Sequence, residues 1–348
     1  MATTDNSPTP DAEPVLLTFC IPTYNRSTSV HRLVSTILSR PDRDIEVVVL
    51  DNGSTDDTME VLGHLADRRL KVRTNGQNRG ALFNMVNVLG HGSGRFVVYS
   101  TDQDRTDAAL IPDFKSFLAS HPEVSCGYCS FDAPDCKPNE IFVRGFDCVN
   151  AIAYKGRHPT GYFFRNEHLQ SIRLAERFSD FEVVDLFPLE FAFAEVGLMG
   201  AGAIYHRPLF SPNTGSEVAT HKSATTNGQS RTAFFAPAAR LKLALSYSRH
   251  IEQLELTASA KSMLTAQVFM VELRTATLGF RAVMGNEKLC MHYRMEPRNI
   301  SPLEMTRIGA SFCAGYFRQQ FSRRIAKLIP FLAGVCRVAG RKILARVA

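Results

Sequence analysis

Residues 15–107 alternate between short apolar runs and segments with helical spacing, and this rhythm constrains the fold more than any other feature of the chain. Residues 15–21 are apolar up to Pro22, and residues 45–50 centre on Val47, Val48 and Val49, so both read as strands buried on two faces. Between them Val30, Leu33, Val34, Ile37 and Leu38 recur at helical spacing behind Ser27 and Ser29, either of which can cap a helix reaching residue 39. The same reading predicts a helix over 59–66, a strand over 70–74, a helix over 81–89 and a fourth strand over 96–100. Such alternation with short connections implies right-handed crossovers and an α/β fold, a mainly parallel sheet flanked by helices.

Ligands of such sheets bind beyond the C-terminal ends of the strands. Three polar clusters fall there: residues 23–26, 51–58 and 102–107. The third contains Asp102-Gln103-Asp104, two carboxylates two residues apart on a turn. Paired this way they can reach a divalent cation bound to a diphosphate, and that cation neutralises a departing diphosphate without moving a proton. An Asp-x-Asp sequence by itself is equally an ordinary acidic turn. Its place at the end of the fourth strand gives it weight.

Further along, the pattern predicts a helix over 112–120, a strand near 125–131, a Thr160-Gly161 turn entering a strand that ends at Arg165, and a helix over 167–171. Residues 198–205 read as a strand ending at His206. Residues 211–231, rich in Ser, Thr, Asn and Gly, form a loop long enough to be a lid or linker. Helices are predicted over 241–254, 258–278 and 303–348. The expected organisation is a disordered leader (1–14), a catalytic domain (15–210), a flexible lid (211–232) and a C-terminal helical extension (233–348).

The net charge of +6 belongs to the end of the chain. After Glu304 there is no acidic residue and there are nine basic ones, so residues 1–304 carry 31 basic against 34 acidic side chains. This argues against general nucleic-acid binding and for a local contact with an anionic surface. Residues 318–348 interleave their charges with Phe321, Ile325, Leu328, Ile329, Leu332, Val335 and Val338. Such a segment either lies on an anionic membrane surface or packs on the protein with its charges solvated. No apolar run reaches the roughly 18 residues of a membrane span, and residues 1–14 lack a secretory pattern. The eight cysteines are scattered, and Cys126-x-x-Cys129 has no partnering pair, so reduced thiols of a cytoplasmic protein are expected.

Four stretches carry a specific resemblance: Phe19-Cys20-Ile21-Pro22-Thr23-Tyr24-Asn25-Arg26, Val49-Leu50-Asp51-Asn52-Gly53-Ser54-Thr55-Asp56-Asp57-Thr58, Gln77-Asn78-Arg79-Gly80 and Thr101-Asp102-Gln103-Asp104. In this order and spacing they resemble the nucleotide-binding half of glycosyltransferase family 2, inverting sugar transferases of the GT-A superfamily that include bacterial O-antigen and capsule enzymes. The later helices are similar to those of O-antigen enzymes only loosely.

The resemblance implies a Rossmann-like GT-A fold. It also implies metal-dependent transfer, with manganese or magnesium, from a nucleoside-diphosphate sugar (a UDP-sugar foremost) to a glycan or lipid-linked acceptor. Pro22, Thr23, Tyr24 and Arg26 would border the base and ribose, and Asp51 would accept a hydrogen bond from the base. Asn78, Arg79 and Gly80 would close over the nucleotide. Asp102, followed by Gln103, would lie near ribose and metal, and Asp104 would be the direct metal ligand. A downstream histidine, His206 or His221, would complete the metal site.

In the family, the general base that takes the acceptor proton follows about 80 residues later, at the start of a helix. Here Val184-Asp185 stands where the family has a Glu-Asp pair, which makes Asp185 the first candidate and Glu190 the second, ahead of Asp180 and Glu182. Lone carboxylates among Val, Leu and Phe are costly unless paired or functional. Two other readings compete: a sugar nucleotidyltransferase, which would need a Gly-rich phosphate loop after the first strand, and a non-catalytic nucleotide-sugar-binding protein on the same fold.

Overall fold

The computed structural model describes residues 14–131, 137–177, 187–213, 225–226, 229–230, 235–292, 295–322 and 325–347. Strands β1 (Leu17–Thr23), β2 (Ile45–Asp51), β3 (Leu70–Thr74) and β4 (Phe96–Tyr99) pair in parallel in the order β3-β2-β1-β4. Leu17 lies opposite both Ile45 and Phe96, so the C-terminal ends of β1, β2 and β4 finish side by side. β1 continues through Pro22 to Thr23, two residues past its expected end. Proline's fixed φ suits an extended chain, and at a strand end only one donor is lost.

Beyond β4 the sheet is mixed. With β5 (Arg105–Thr106), β6 (Val124–Phe131), β7 (Glu140–Phe142), β8 (Tyr162–Arg165) and β9 (Ala201–Ser211), the order continues β4-β8-β6-β9-β5, and β7 also pairs with β9. β8 runs antiparallel to β4 and β6, whereas β6 and β9 are parallel. β9 passes through His206 to Ser211 because β5 supplies a further edge for Phe210 and Ser211.

The period-2 alternation of the strands divides the core. Phe19, Ile21, Val47, Val49, Phe96 and Val98 face α1 (Ser27–Leu38) and, further along the chain, α4 (Ile111–Ser120). Cys20, Val48, Leu50, Val97 and Tyr99 face the opposite side, toward α3 (Ala81–Leu89), α5 (Phe146–Ile152) and α7 (Pro188–Val196). The short helices α2 (Thr58–Gly63) and α6 (Asn166–Ser171) complete this part. Arg26 takes the cap position of α1 without a side-chain cap, in place of the expected serines, and its N–H donates to Thr58 Oγ1 at 3.1 Å.

The helical region comprises α8 (Pro237–Gln253), α9 (Ala258–Arg274), α10 (Phe280–Met284), α11 (Glu287–His292), α12 (Pro302–Phe321) and α13 (Leu328–Val347). The second face continues into α8, α9, α12 and α13, while α10 and α11 bury Phe280, Met284 and Cys290 in a separate small cluster with Phe235 and Ile300. The helix expected over 303–348 is two helices. Phe321 and Phe331 touch at 5.1 Å between ring centroids, whereas ten residues of straight helix would separate them by about 15 Å. Both rings join Phe269, Phe312, Tyr316 and Phe317 in one aromatic cluster, so the chain turns between the helices. α13 buries Phe331 and Gly334, and a Cβ at Gly334 would lie 2.9 Å from the Ser262 carbonyl oxygen of α9. Its outer face leaves Ile329 77% and Leu332 47% exposed. Among the described residues no helix is long and apolar enough to cross a membrane.

A polar clasp joins the two regions. Glu195 on α7 accepts from Arg177 Nη1 and Nη2 at 2.8 and 2.9 Å and pairs with His250 Nε2 on α8 at 2.9 Å; Tyr154 Oη lies 2.7 Å from His250 Nδ1. Burial would raise the Glu195 carboxyl, but the bonds from His250 and Arg177 outweigh it and hold the group at about 2. Its folded value lies below the ordinary 4.5, so its stabilisation is present above pH 4.5 and lost as pH falls toward 2. Glu195→Gln should therefore melt lower than wild type at pH 7, and its melting temperature should fall less steeply between pH 5 and 3. Parallel curves for the two proteins in thermal melts would contradict this.

Candidate active site

The three polar clusters meet at the ends of β1, β2 and β4. Thr23 closes β1, and its Oγ1 donates to Asp102 Oδ2 at 2.8 Å. Three residues on, Arg26 Nη1 donates to Asp102 Oδ1 at 2.7 Å. The Gln103 amide, turned so that its oxygen faces the guanidinium, also accepts from Arg26. Burial pushes the Asp102 carboxyl up, and Arg26 and the Thr23 hydroxyl oppose that. Asp102 is thus a buried carboxylate already paired with a cation.

Asp104 differs. Its Oδ2 accepts from the hydroxyls of Thr101 and Thr160, and His158 Nδ1 lies 3.7 Å from the same oxygen. Among the described residues all of these contacts fall on Oδ2, which leaves Oδ1 for a ligand. Thr101 N–H also donates to Thr160 Oγ1 at 3.0 Å, fixing the loop before β8 against the end of β4. Gly161 makes this possible: its φ is +90°, and a Cβ there would meet Cys129 Cβ and Phe210 at 3.1 Å.

Asp51, buried at the end of β2, accepts from Gly53 N–H (3.0 Å), Ser54 N–H (3.0 Å), the Ser54 hydroxyl and Thr74 Oγ1 (3.1 Å). The carboxylate expected to read the base also shapes the 51–54 turn. Behind it four asparagines interlock. Asn52 Nδ2 donates to Asn78 Oδ1 at 2.9 Å, while Asn52 Oδ1 accepts from Asn75 Nδ2 and Arg79 N–H, both at 3.0 Å. Asn84 Nδ2 donates to the Leu50 carbonyl at 2.9 Å. Together they fix the 75–80 loop beside β2. Gly53, with φ +75°, lets that loop pass, since a Cβ there would lie 2.6 Å from the Gln77 backbone. The Arg79 side chain is exposed and lies over the Phe83 ring at 3.7 Å, so its reach over a nucleotide would require leaving that ring. Pro22 and Tyr24 are half-buried on the same rim, and Gly80, with φ +92°, starts α3.

The expected base candidates separate. Asp185 lies outside the described residues, with Asp180, Glu182 and His221. Glu190 is 1% exposed and accepts from Lys155 N–H and Gly156 N–H, both at 2.9 Å, and from Tyr162 Oη at 3.0 Å. Burial raises its carboxyl despite those donors and Arg157. All its contacts tie down the 155–162 loop, which is an anchor's position rather than an acceptor-facing one. His206, the other expected metal-completing histidine, bonds instead to Ser130 Oγ (3.0 Å) and Glu140 (2.7 Å), stapling β9 to β6 and β7.

The sequence placed Thr101 and Asn52 inside the resembling stretches without a role for their side chains, marked Thr160-Gly161 as a turn that resembles the one beneath the donor sugar or as simple turn punctuation, and did not single out His158, Asn75 or Asn84. Their contacts join residues as far as 59 to 61 positions apart, such as Thr101 with Thr160 and Asn84 with Thr23, and leave no local pattern.

A divalent cation fits this donor set. Magnesium and similar cations held with a substrate diphosphate need only one or two protein carboxylates, with phosphate and water supplying the rest. Asp104, with one oxygen uncommitted, meets that need. Among the described residues no cluster of three His, Cys, Asp or Glu side chains is built to hold a cation without substrate.

Four parallel strands with a carboxylate pair at the end of β4, followed by a mixed second half, define a GT-A domain. Residues 18–172 match the sequence profile described as Glycosyl transferase family 2. The chain is 35% identical over 92 residues to the Campylobacter jejuni GalNAc(5)-diNAcBac-PP-undecaprenol beta-1,3-glucosyltransferase, covering 25% of this chain and 29% of that protein. It is 27% identical over 89 residues to the Escherichia coli UDP-Glc:alpha-D-GlcNAc-diphosphoundecaprenol beta-1,3-glucosyltransferase WfaP, covering 26% and 36%. The chain thus matches about a third of the length of these curated relatives. Among solved structures it is similar to S. aureus TarS 1–349 in complex with UDP-GlcNAc, with a TM-score of 0.56 and 15% identity over 90% of this chain and 92% of that one. That likeness concerns the fold alone.

Proposed function

We propose that this protein transfers a sugar from a nucleoside diphosphate, UDP foremost, to a glycan or lipid-linked acceptor with inversion at the anomeric carbon. The observation that carries this reading is the division of labour at the end of β4: Asp102 is neutralised by Arg26, while Asp104 keeps one oxygen open. Manganese or magnesium held by Asp104 would supply charge neutralisation for the departing diphosphate. Thr23, Arg26 and Asp102 border the ribose, and the half-buried Tyr24 lies on the rim for the base. Asp51 reads the base by exchanging a hydroxyl bond, from Ser54 or Thr74, for a base N–H. Asp185 takes the acceptor proton. The named activities of the C. jejuni and E. coli relatives, with a UDP-Glc donor named for WfaP and undecaprenyl-diphosphate-linked acceptors for both, support the same donor and acceptor classes here.

A thermal-shift screen of nucleoside diphosphates with manganese tests the donor half, since a ligand that binds the native state raises its melting temperature. UDP should give the largest shift. No shift with any nucleoside diphosphate would contradict the reading.

The protein would work on the cytoplasmic face of a membrane, held by the outer face of α13. Deleting residues 318–348 is a poor test, because it removes Phe321 and Phe331 from the aromatic cluster. Ile329→Asn with Leu332→Asn leaves the packed side intact, and it should reduce flotation with phosphatidylglycerol-containing vesicles several-fold. Unchanged flotation would leave the charged face without a membrane role.

A further inference from the structure

Arg240 and Glu272 form a buried charge pair that the proposed transfer does not use. Arg240 stands near the start of α8 and Glu272 near the end of α9; they are 6% and 3% exposed, and Arg240 Nη1 donates to Glu272 Oε2 at 3.2 Å. Taking two charges out of water is expensive, and apolar side chains in such a place are often as stable or more so. Stability alone therefore does not account for the pair. Its surroundings do. Arg240 Cζ lies 5.5 Å from the centre of the Phe187 ring, and Phe187 is the N-cap of α7, two residues after Asp185. The same ring and the same Nη1 close on Gly156, where a Cβ would lie 3.7 Å from Phe187 and 4.0 Å from Arg240. Gly156 turns with φ +59°, and Glu190 holds its N–H at 2.9 Å. Four residues further on, Thr160 bonds to Asp104.

We propose that Arg240, oriented by Glu272, is a positioning residue for sugar transfer: from the helical region it sets the 156–160 loop and the start of α7 relative to Asp104. This rests on the transferase reading above. The loop and the helix come from separate stretches of the chain and meet at Arg240. A displacement of about 1 Å at a reacting centre can cost on the order of 10²-fold in rate. A guanidinium suits the task because its flat face packs on a ring while its edge donates to a carboxylate. Lysine has the charge but not the plane.

Three variants of the full chain test this through acceptor-dependent UDP release, melting temperature and metal-free UDP affinity. Arg240→Met with Glu272→Met removes both charges and should melt close to wild type, yet its kcat should fall about thirtyfold. Glu272→Gln leaves the buried guanidinium uncompensated but still accepts its hydrogen bond, so it should melt lower and keep kcat within about threefold of wild type. Stability and turnover then move in opposite orders, which a purely structural pair cannot produce. Arg240→Lys keeps a cation for Glu272 and should fold even if the double variant does not; its kcat should fall about tenfold. UDP affinity without metal should match wild type in every folded variant. Wild-type kcat in Arg240→Lys or in the double variant, or a kcat that follows melting temperature across the series, would overturn the assignment alone. Wild type that binds UDP without acceptor-dependent release would overturn the transferase reading and the assignment with it.

Discussion

Asp104→Asn should abolish sugar transfer while leaving metal-free UDP binding within a fewfold of wild type. The amide keeps the shape of the carboxylate and can still accept from Thr101 and Thr160, so the loop before β8 should stay in place. It loses the charge that holds the cation. Lewis-acid stabilisation of a departing diphosphate is worth several kcal/mol, and about 1.4 kcal/mol is a factor of ten in rate, so the loss should be on the order of 10³-fold. Asp102→Asn should behave differently. That carboxylate is paired with Arg26 and Thr23, so its loss should weaken nucleotide binding even without metal. Isothermal titration of UDP with and without manganese separates the two. Equal behaviour of the two variants would mean that the division of labour at the end of β4 is misassigned.

Glu190→Ala should be the most destabilising single change in the site region. It would strand two backbone N–H groups and the Tyr162 hydroxyl in a buried setting, at about 1–3 kcal/mol each. A total of about 3–9 kcal/mol is a large share of a domain's usual 5–15 kcal/mol. Glu190→Gln keeps the volume and one acceptor oxygen, so it should fold with a lower melting temperature. Its turnover should fall partially, with a raised KM for the donor, because the loop bearing His158 and Thr160 is held less firmly. A catalytic base gives the opposite signature: an unchanged melting temperature and turnover lost at saturating substrate. That second pattern in Glu190→Gln would return the base role to this residue.

The donor half of the site was legible in the sequence because its physics is local. Short strands buried on two faces, such as Val47-Val48-Val49, announce themselves by composition, and a parallel sheet then dictates that Thr23, Asp51 and Asp102 arrive at one edge. What each side chain does there was less legible. Whether Asp51 is open to a base or already bonded depends on Thr74, 23 residues away, and Arg79's rest on Phe83 competes with its reach over a ligand. Glu190 shows the limit most clearly. A carboxylate in an apolar helix start reads as functional because burial is costly, yet its partners are backbone N–H groups some 35 residues earlier, which no side-chain pattern encodes. The break between α12 and α13 escaped for a similar reason: the helical periodicity persists, and only the aromatic cluster on Phe269 requires the turn.

The central claim is that the Asp102–Asp104 edge performs sugar transfer rather than holding a nucleotide. It is tested most directly by measuring nucleoside-diphosphate release from a panel of UDP-sugars with manganese and an undecaprenyl-diphosphate-linked glycan acceptor. The expected result is acceptor-stimulated, metal-dependent UDP release that disappears in Asp104→Asn. Tight manganese-dependent UDP binding with no release from any donor and acceptor pair would contradict it and make the protein a nucleotide-sugar-binding relative without turnover.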